Sequence, residues 1–151
     1  MFFSLAMLNM RLATPAVLVD VMPAPDARKV AAENGTLKIS AAVRQASLLG
    51  DPDLASRNPL LAKMLPWVGH PQTRARGTIC GSVAHADPSA EIPLALAALD
   101  GTVILRRGRK RRSVKAIDFF LGMMLTDKAD DEMIEGVTFA DVQQGTGTGF
   151  A

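Results

Sequence analysis

Residues 73–93, TRARGTICGSVAHADPSAEIP, are the stretch on which the reading of this chain turns. Within it, residues 76–88 hold two glycines, the chain's only cysteine and one of its two histidines. Three chemistries compete for such a segment. Cys80 and His85 could form a thiol–imidazole pair across a loop. However, the fold rather than local spacing brings such pairs together, and a small buried thiol beside a loop histidine is the simpler reading. His70, Cys80, His85 and Asp87 offer metal-ligand types, but their spacing matches no zinc or iron pattern, so no metal site is expected. An anion cradle suits the residues better. Gly77 and Gly81 let backbone N–H groups come close to a phosphate, and Thr78 and Ser82 add hydroxyls. No Walker lysine follows and no GxGxxG opens a helix after a strand, which sets aside the nucleotide P-loop and the dinucleotide turn.

Outward from that stretch, composition narrows the field. The 151 residues suffice for one core-bearing domain, and 48% apolar against 21% charged residues is a globular balance. With no tyrosine and 5% aromatics, Leu, Val, Ala and Met must fill the interior. A single cysteine excludes an internal disulfide framework and fits a reducing, cytoplasmic setting. The apolar N-terminus, MFFSLAMLNMRL, lacks a basic n-region and is interrupted by Arg11, so it reads as a core-packing helix rather than a leader or a membrane span. Residues 106–112 carry six of the seventeen basic side chains. They lie between two alternating segments, 102–105 and 113–116, around a glycine, which reads as a solvated hairpin tip. No aromatics stand beside them for bases to stack on, so nucleic acid is not expected as a partner.

Along the chain, residues 3–12 read as a helix stopped by Pro15. Residues 16–21, AVLVDV, read as a buried strand, and 22–30 as a turn-rich connector. Residues 36–40 alternate with period two and enter through Asn34-Gly35, a tight-turn pair. Helices are expected over 42–49, over 59–65 with Pro59 at its first position, and over 90–99. Trp67 is expected in the core. Residues 133–139 alternate as a strand after the acidic lead-in 130–132. The tail from Gln143 reads as a flexible linker. Strands outnumber long helices without βαβ alternation, so the class is α+β.

Residues 73–93 resemble the FAD-binding medium subunit of molybdenum hydroxylases, the group that includes aerobic carbon monoxide dehydrogenase and the flavin portion of xanthine dehydrogenase. That family carries RNRGTIGG, then Asn or Ser, then AHADPAAELP. Further blocks agree in order: SLAMLNMRLATPAVLVDV, TLKIS, RNPLLAKMLPWVGHPQTR, IDFFLGMMLT and DEMIEGVTF. The resemblance implies an α+β flavoprotein of the vanillyl-alcohol oxidase and p-cresol methylhydroxylase type, with a mixed sheet and flanking helices. It also implies an FAD pyrophosphate held by two glycine-containing loops. Thr78, Ile79, Cys80, Gly81 and Ser82 occupy the second loop. Glu91 stands where the family places an acidic residue near the ribityl and ribose hydroxyls, with Asp87 as the alternative, since a carboxylate accepts hydrogen bonds from hydroxyls. Ile134 matches an apolar position beside the flavin and reads equally well as core.

The family's first pyrophosphate loop is A-G-G-x-S-L, and of it only Ser4 and Leu5 are matched, behind Phe2 and Phe3. By the resemblance, residues 1–22 are a remnant of the first FAD subdomain, 23–142 the second, and 143–151 a linker toward a further domain. Cys80 replaces a family glycine, which would strain any positive-φ requirement there. The expected role is the FAD-carrying component of an oxidoreductase. It would relay electrons from an iron–sulfur small subunit, fed by a molybdopterin-binding large subunit, to an external acceptor. No residue is expected to act as acid or base. With one of two loops incomplete, weak or absent FAD binding and inactivity alone are expected. The alternative is a non-catalytic interaction module that keeps the fold without flavin.

Overall fold

In the computed structural model, which describes residues 7–33, 35–142 and 145–150, alternating apolar side chains build one sheet and bury one face of it. The strands are β1 (Val30–Glu33), β2 (Thr36–Ser40), β3 (Thr102–Arg107), β4 (Lys110–Lys115), β5 (Phe120–Gly122), β6 (Leu125–Thr126) and β7 (Met133–Ala140). Five of them form a sheet in the order β1-β2-β7-β3-β4, and β5 and β6 make a separate hairpin. Every described pair is antiparallel. The α+β class holds, and a parallel pair of the kind a mixed sheet contains is not found among the described residues.

Both hairpins of the five-stranded sheet close where the sequence places turn residues. Glu33 pairs with Thr36, so the connection is two residues long and Gly35 takes φ 72°, a conformation glycine adopts without steric cost. Arg107 pairs with Lys110, and Gly108 at φ 58° turns the basic hairpin. β7 then enters between the hairpins, pairing with β2 on one side and β3 on the other.

Between β2 and β3 run the helices α1 (Gln45–Leu49), α2 (Leu54–Arg57), α3 (Pro59–Met64), α4 (Pro71–Arg76), α5 (Ile79–His85) and α6 (Glu91–Ala98), and α7 (Ala116–Phe119) follows β4. They cover one face of the sheet. Leu37, Ile39, Val103, Leu105, Val137 and Phe139 point into that layer and pack with Leu61, Leu65, Ile79, Val83, Ile92 and Leu96 in one core. Asn58 is buried yet satisfied. Its Oδ1 accepts from the Leu61 N–H at 3.1 Å, capping α3 ahead of Pro59.

The other face of the sheet is solvated and carries the basic hairpin as expected. Four of its arginines are committed to carboxylates. Arg106 and Arg111 share Glu135, Arg107 pairs with Asp131, and Arg112 bridges Asp127 and Glu132. Two of these four carboxylates, Asp131 and Glu132, come from the acidic lead-in, and together the four offset most of the hairpin's six positive charges. Arg112 donates two N–H groups to Glu132 at 2.7 Å and holds that carboxyl down at about 2, from an ordinary 4.5. A carboxylate whose folded pKa lies below its unfolded one stabilises the fold above the unfolded value and loses that contribution as pH falls through the folded one. Stability is therefore expected to drop as pH is lowered from 4.5 to about 2. Denaturant unfolding across that window should show the loss, and Arg112→Met should flatten it.

Three expectations are corrected. Residues 16–21 form no strand: Val17, Leu18 and Val19 are 73%, 70% and 78% exposed. A strand needs a partner edge, and among the described residues none runs beside this segment. Trp67 is 70% exposed, not core. The 3-10 turn Leu65–Trp67 directs Leu65 inward, at 0% exposure, and the indole outward. The connector before β2 contains a 3-10 turn, Pro25–Arg28, followed by β1, which alternation alone does not reveal. Of the expected N-terminal helix, residues 7–9 are helical, and residues 3–6 lie outside the described residues. The described tail, 145–150, has no regular structure, but Phe150 packs against the core.

Candidate functional site

Within residues 76–88, Ile79–His85 form a capped helix, not the loop expected. Thr78 sits at the N-cap of α5 with extended backbone, and its Oγ1 accepts from the Gly81 N–H at 3.0 Å. That bond satisfies one of the donors a helix start leaves unpaired. Gly81 is required for it: a Cβ there would lie 2.7 Å from Thr78 Oγ1. Ile79 and Cys80 turn into the core at 0% and 4% exposure, and Gly81 and Ser82 are half-buried. α5 ends at Ala86, whose φ of 51° makes a left-handed cap.

The register of the start of α5 is set by a single bridge, Arg44 to Thr78. Gln45 N–H donates to Gly77 O at 3.0 Å and Ile79 N–H donates to Val43 O at 3.1 Å. Backbone groups alternate in direction along an extended segment, so the Thr78 N–H faces away from Arg44. Neither it nor the Cys80 N–H meets an acceptor among the described residues. These two amides, with the Thr78 and Ser82 hydroxyls beside them, make a donor-rich cradle. Such a donor set fits the pyrophosphate of FAD.

The structure removes the nucleophile reading. Burial pushes the Cys80 thiol up to about 12, with Sγ 3.9 Å from Ile39 O, so no thiolate forms near neutral pH. Cys80 and His85 also stand five apart on one helix, a spacing that turns them to different faces. Cys80 is helical rather than at positive φ, so the strain expected from replacing a glycine does not arise. No group of three or more His, Cys, Asp or Glu side chains that could hold a metal occurs among the described residues. Among them, likewise, no helix is long and apolar enough to cross a membrane.

The two carboxylates differ. Asp87 Oδ1 accepts from both the backbone N–H and the hydroxyl of Ser89, at 2.9 and 2.7 Å, and these bonds lower its pKa. It is committed to its own turn. Glu91 is the first residue of α6, half-buried, and its carboxylate has no partner among the described residues. Ile134 is 5% exposed in β7 and belongs to the core. Ser4 and Leu5 lie outside the described residues. Sequence reasoning misses Arg44 and Gln45. Neither belongs to a motif, and only the bridge to Thr78 brings them to this site.

Against known proteins, the model of the FAD binding domain in molybdopterin dehydrogenase matches residues 4–139. The nicotine 6-hydroxylase medium subunit of Paenarthrobacter nicotinovorans is 35% identical, over 96% of this chain and 51% of its own length. The carbon monoxide dehydrogenase medium chain of Hydrogenophaga pseudoflava is 34% identical, over 95% and 50% respectively. The solved carbon monoxide dehydrogenase of Hydrogenophaga pseudoflava superposes with a TM-score of 0.88 at 32% identity, covering 95% of this chain and 50% of that one. Quinoline 2-oxidoreductase from Pseudomonas putida 86 gives 0.88 at 34% identity, covering 93% and 49%. The chain thus spans about half the length of the curated relatives it matches.

Proposed function

Because the chain belongs to the family of FAD-binding domains in molybdopterin dehydrogenases, we propose that it serves as the flavin-holding part of a molybdenum-hydroxylase-type oxidoreductase. In that role it passes electrons from iron–sulfur clusters to an external acceptor. It would assemble with an iron–sulfur small subunit and a molybdopterin-binding large subunit, as the name "medium subunit" on its relatives implies. FAD, when bound, supplies the redox chemistry, and the protein supplies binding, orientation and electrostatics.

The observation that carries this reading is the donor-rich cradle at the start of α5. The Thr78 and Cys80 N–H groups, and the Thr78 and Ser82 hydroxyls, would hold the pyrophosphate. Gly81 keeps the cap open, while Ile79 anchors the segment in the core. Ser4 and Leu5 would belong to the opposing loop. Glu91, with its carboxylate unpaired among the described residues, is the better candidate for the ribityl and ribose hydroxyls, and Asp87 is already engaged by Ser89. Ile134, packed in the core, would offer the ring only an apolar edge. None of these residues needs to move a proton.

Titrating the protein with FAD and following quenching of flavin fluorescence tests the assignment. Saturable one-to-one binding is the expected result. A protein that is folded by circular dichroism yet shows no saturable quenching would favour the flavin-free interaction module.

A further inference from the structure

Arg44 has no counterpart among the residues so far assigned to the cofactor, yet its side chain lies beside that of Thr78, whose amide belongs to the cradle. It is cross-strand partner to Thr78 in the isolated bridge, which places the two side chains together on one side of the pair. Its Nη1 donates to Ala75 O and to Arg76 O, each at 2.9 Å. These carbonyls end α4, where a helix leaves acceptors without intrahelical partners. They stand only two and three residues before the Thr78 N–H. Uncovered, they would set negative partial charge beside a site built to receive an anion.

Gln45 completes the clamp. Its N–H fixes Gly77 O, and its buried side-chain amide lies against Gly77, where a Cβ would come within 3.1 Å of Nε2. No acidic side chain pairs with Arg44 among the described residues. Its charge is therefore not spent on a carboxylate, unlike those of Arg106, Arg107, Arg111 and Arg112.

We propose that Arg44 is an electrostatic positioning residue for the pyrophosphate cradle. It masks the terminal carbonyls of α4 and adds an uncompensated positive charge beside Thr78. This rests on the FAD reading for the identity of the anion.

Inorganic pyrophosphate is the probe, followed through the amide resonances of Thr78 and Cys80. In the wild-type protein both resonances should move saturably. Arg44→Met should weaken pyrophosphate about tenfold at low salt, and the gap should narrow at about 1 M salt, where screening reaches a few ångströms. Arg44→Lys should restore most of the affinity, because it keeps the charge and loses only the two-carbonyl geometry. Denaturant midpoints of the variants verify that the fold is intact. Equal pyrophosphate affinity in wild type and Arg44→Met overturns the proposal. So does a loss that salt does not narrow and lysine does not rescue, or a wild-type protein whose two amides do not move. Arg44-dependent pyrophosphate binding without FAD binding would remove the flavin assignment and leave this inference standing.

Discussion

Phe139→Ala should lower the unfolding free energy by about 3–5 kcal/mol, the range for a fully buried phenylalanine whose cavity cannot collapse. Phe139 is 0% exposed and sits in β7, opposite Leu37 of β2. Its ring lies in the layer between sheet and helices, so removing it leaves a void lined by residues fixed in a sheet and a helix layer that cannot both close on it. Against a total stability of about 5–15 kcal/mol for a domain, that is a large fraction. Denaturant unfolding gives the number. Trp67→Ala is the matched comparison, because the larger side chain is 70% exposed. It should cost no more than about 0.5 kcal/mol. A tryptophan variant more destabilised than the phenylalanine one would mean that the placement of the 3-10 turn is wrong.

Gly81→Val should weaken FAD binding about a hundredfold or more. The first side-chain atom would meet Thr78 Oγ1 at 2.7 Å, so the threonine must leave its capping position. Its hydroxyl then no longer accepts from the Gly81 N–H, and the segment bearing the Thr78 and Cys80 amides loses its alignment. Hydrogen bonds to a charged group contribute about 1.5–3 kcal/mol each, and two lost bonds correspond to a factor of about a hundred or more. Loss of the cap alone costs the fold about 0.5–2 kcal/mol, which the domain should survive. Ser82→Ala, which removes one hydroxyl and no backbone donor, should cost only about tenfold. Fluorescence titration separates the two. An affinity within threefold of wild type in the valine variant would detach the flavin from this helix start.

Much of the fold is legible in the amino-acid sequence. Alternation at 36–40 and 133–139, and turn residues at Gly35 and Gly108, locate strands and hairpins, because one face of the sheet is buried and the other wet. The motif at 73–93 locates the helix start by residue type. Its local structure is not legible, because a glycine-rich loop and a Thr-capped helix share the same small residues. The distinguishing fact is where Thr78 Oγ1 points. AVLVDV misleads for another reason: β-branched residues favour a strand only when a neighbouring edge pairs with them. Arg44 leaves no signal in the sequence, since its significance lies wholly in a bridge to a residue 34 positions away.

The central position of β7 has a kinetic consequence. Residues 36–40 reach their final partner only when 136–140 are available, so the sheet cannot close while the chain between them is still being made. Until then β2 presents an open edge bearing Leu37 and Ile39, a template for pairing with another chain. Closure across so long a loop is slow compared with forming either hairpin. During synthesis, the period before residue 140 emerges is when this polypeptide is most exposed to aggregation and most in need of a chaperone.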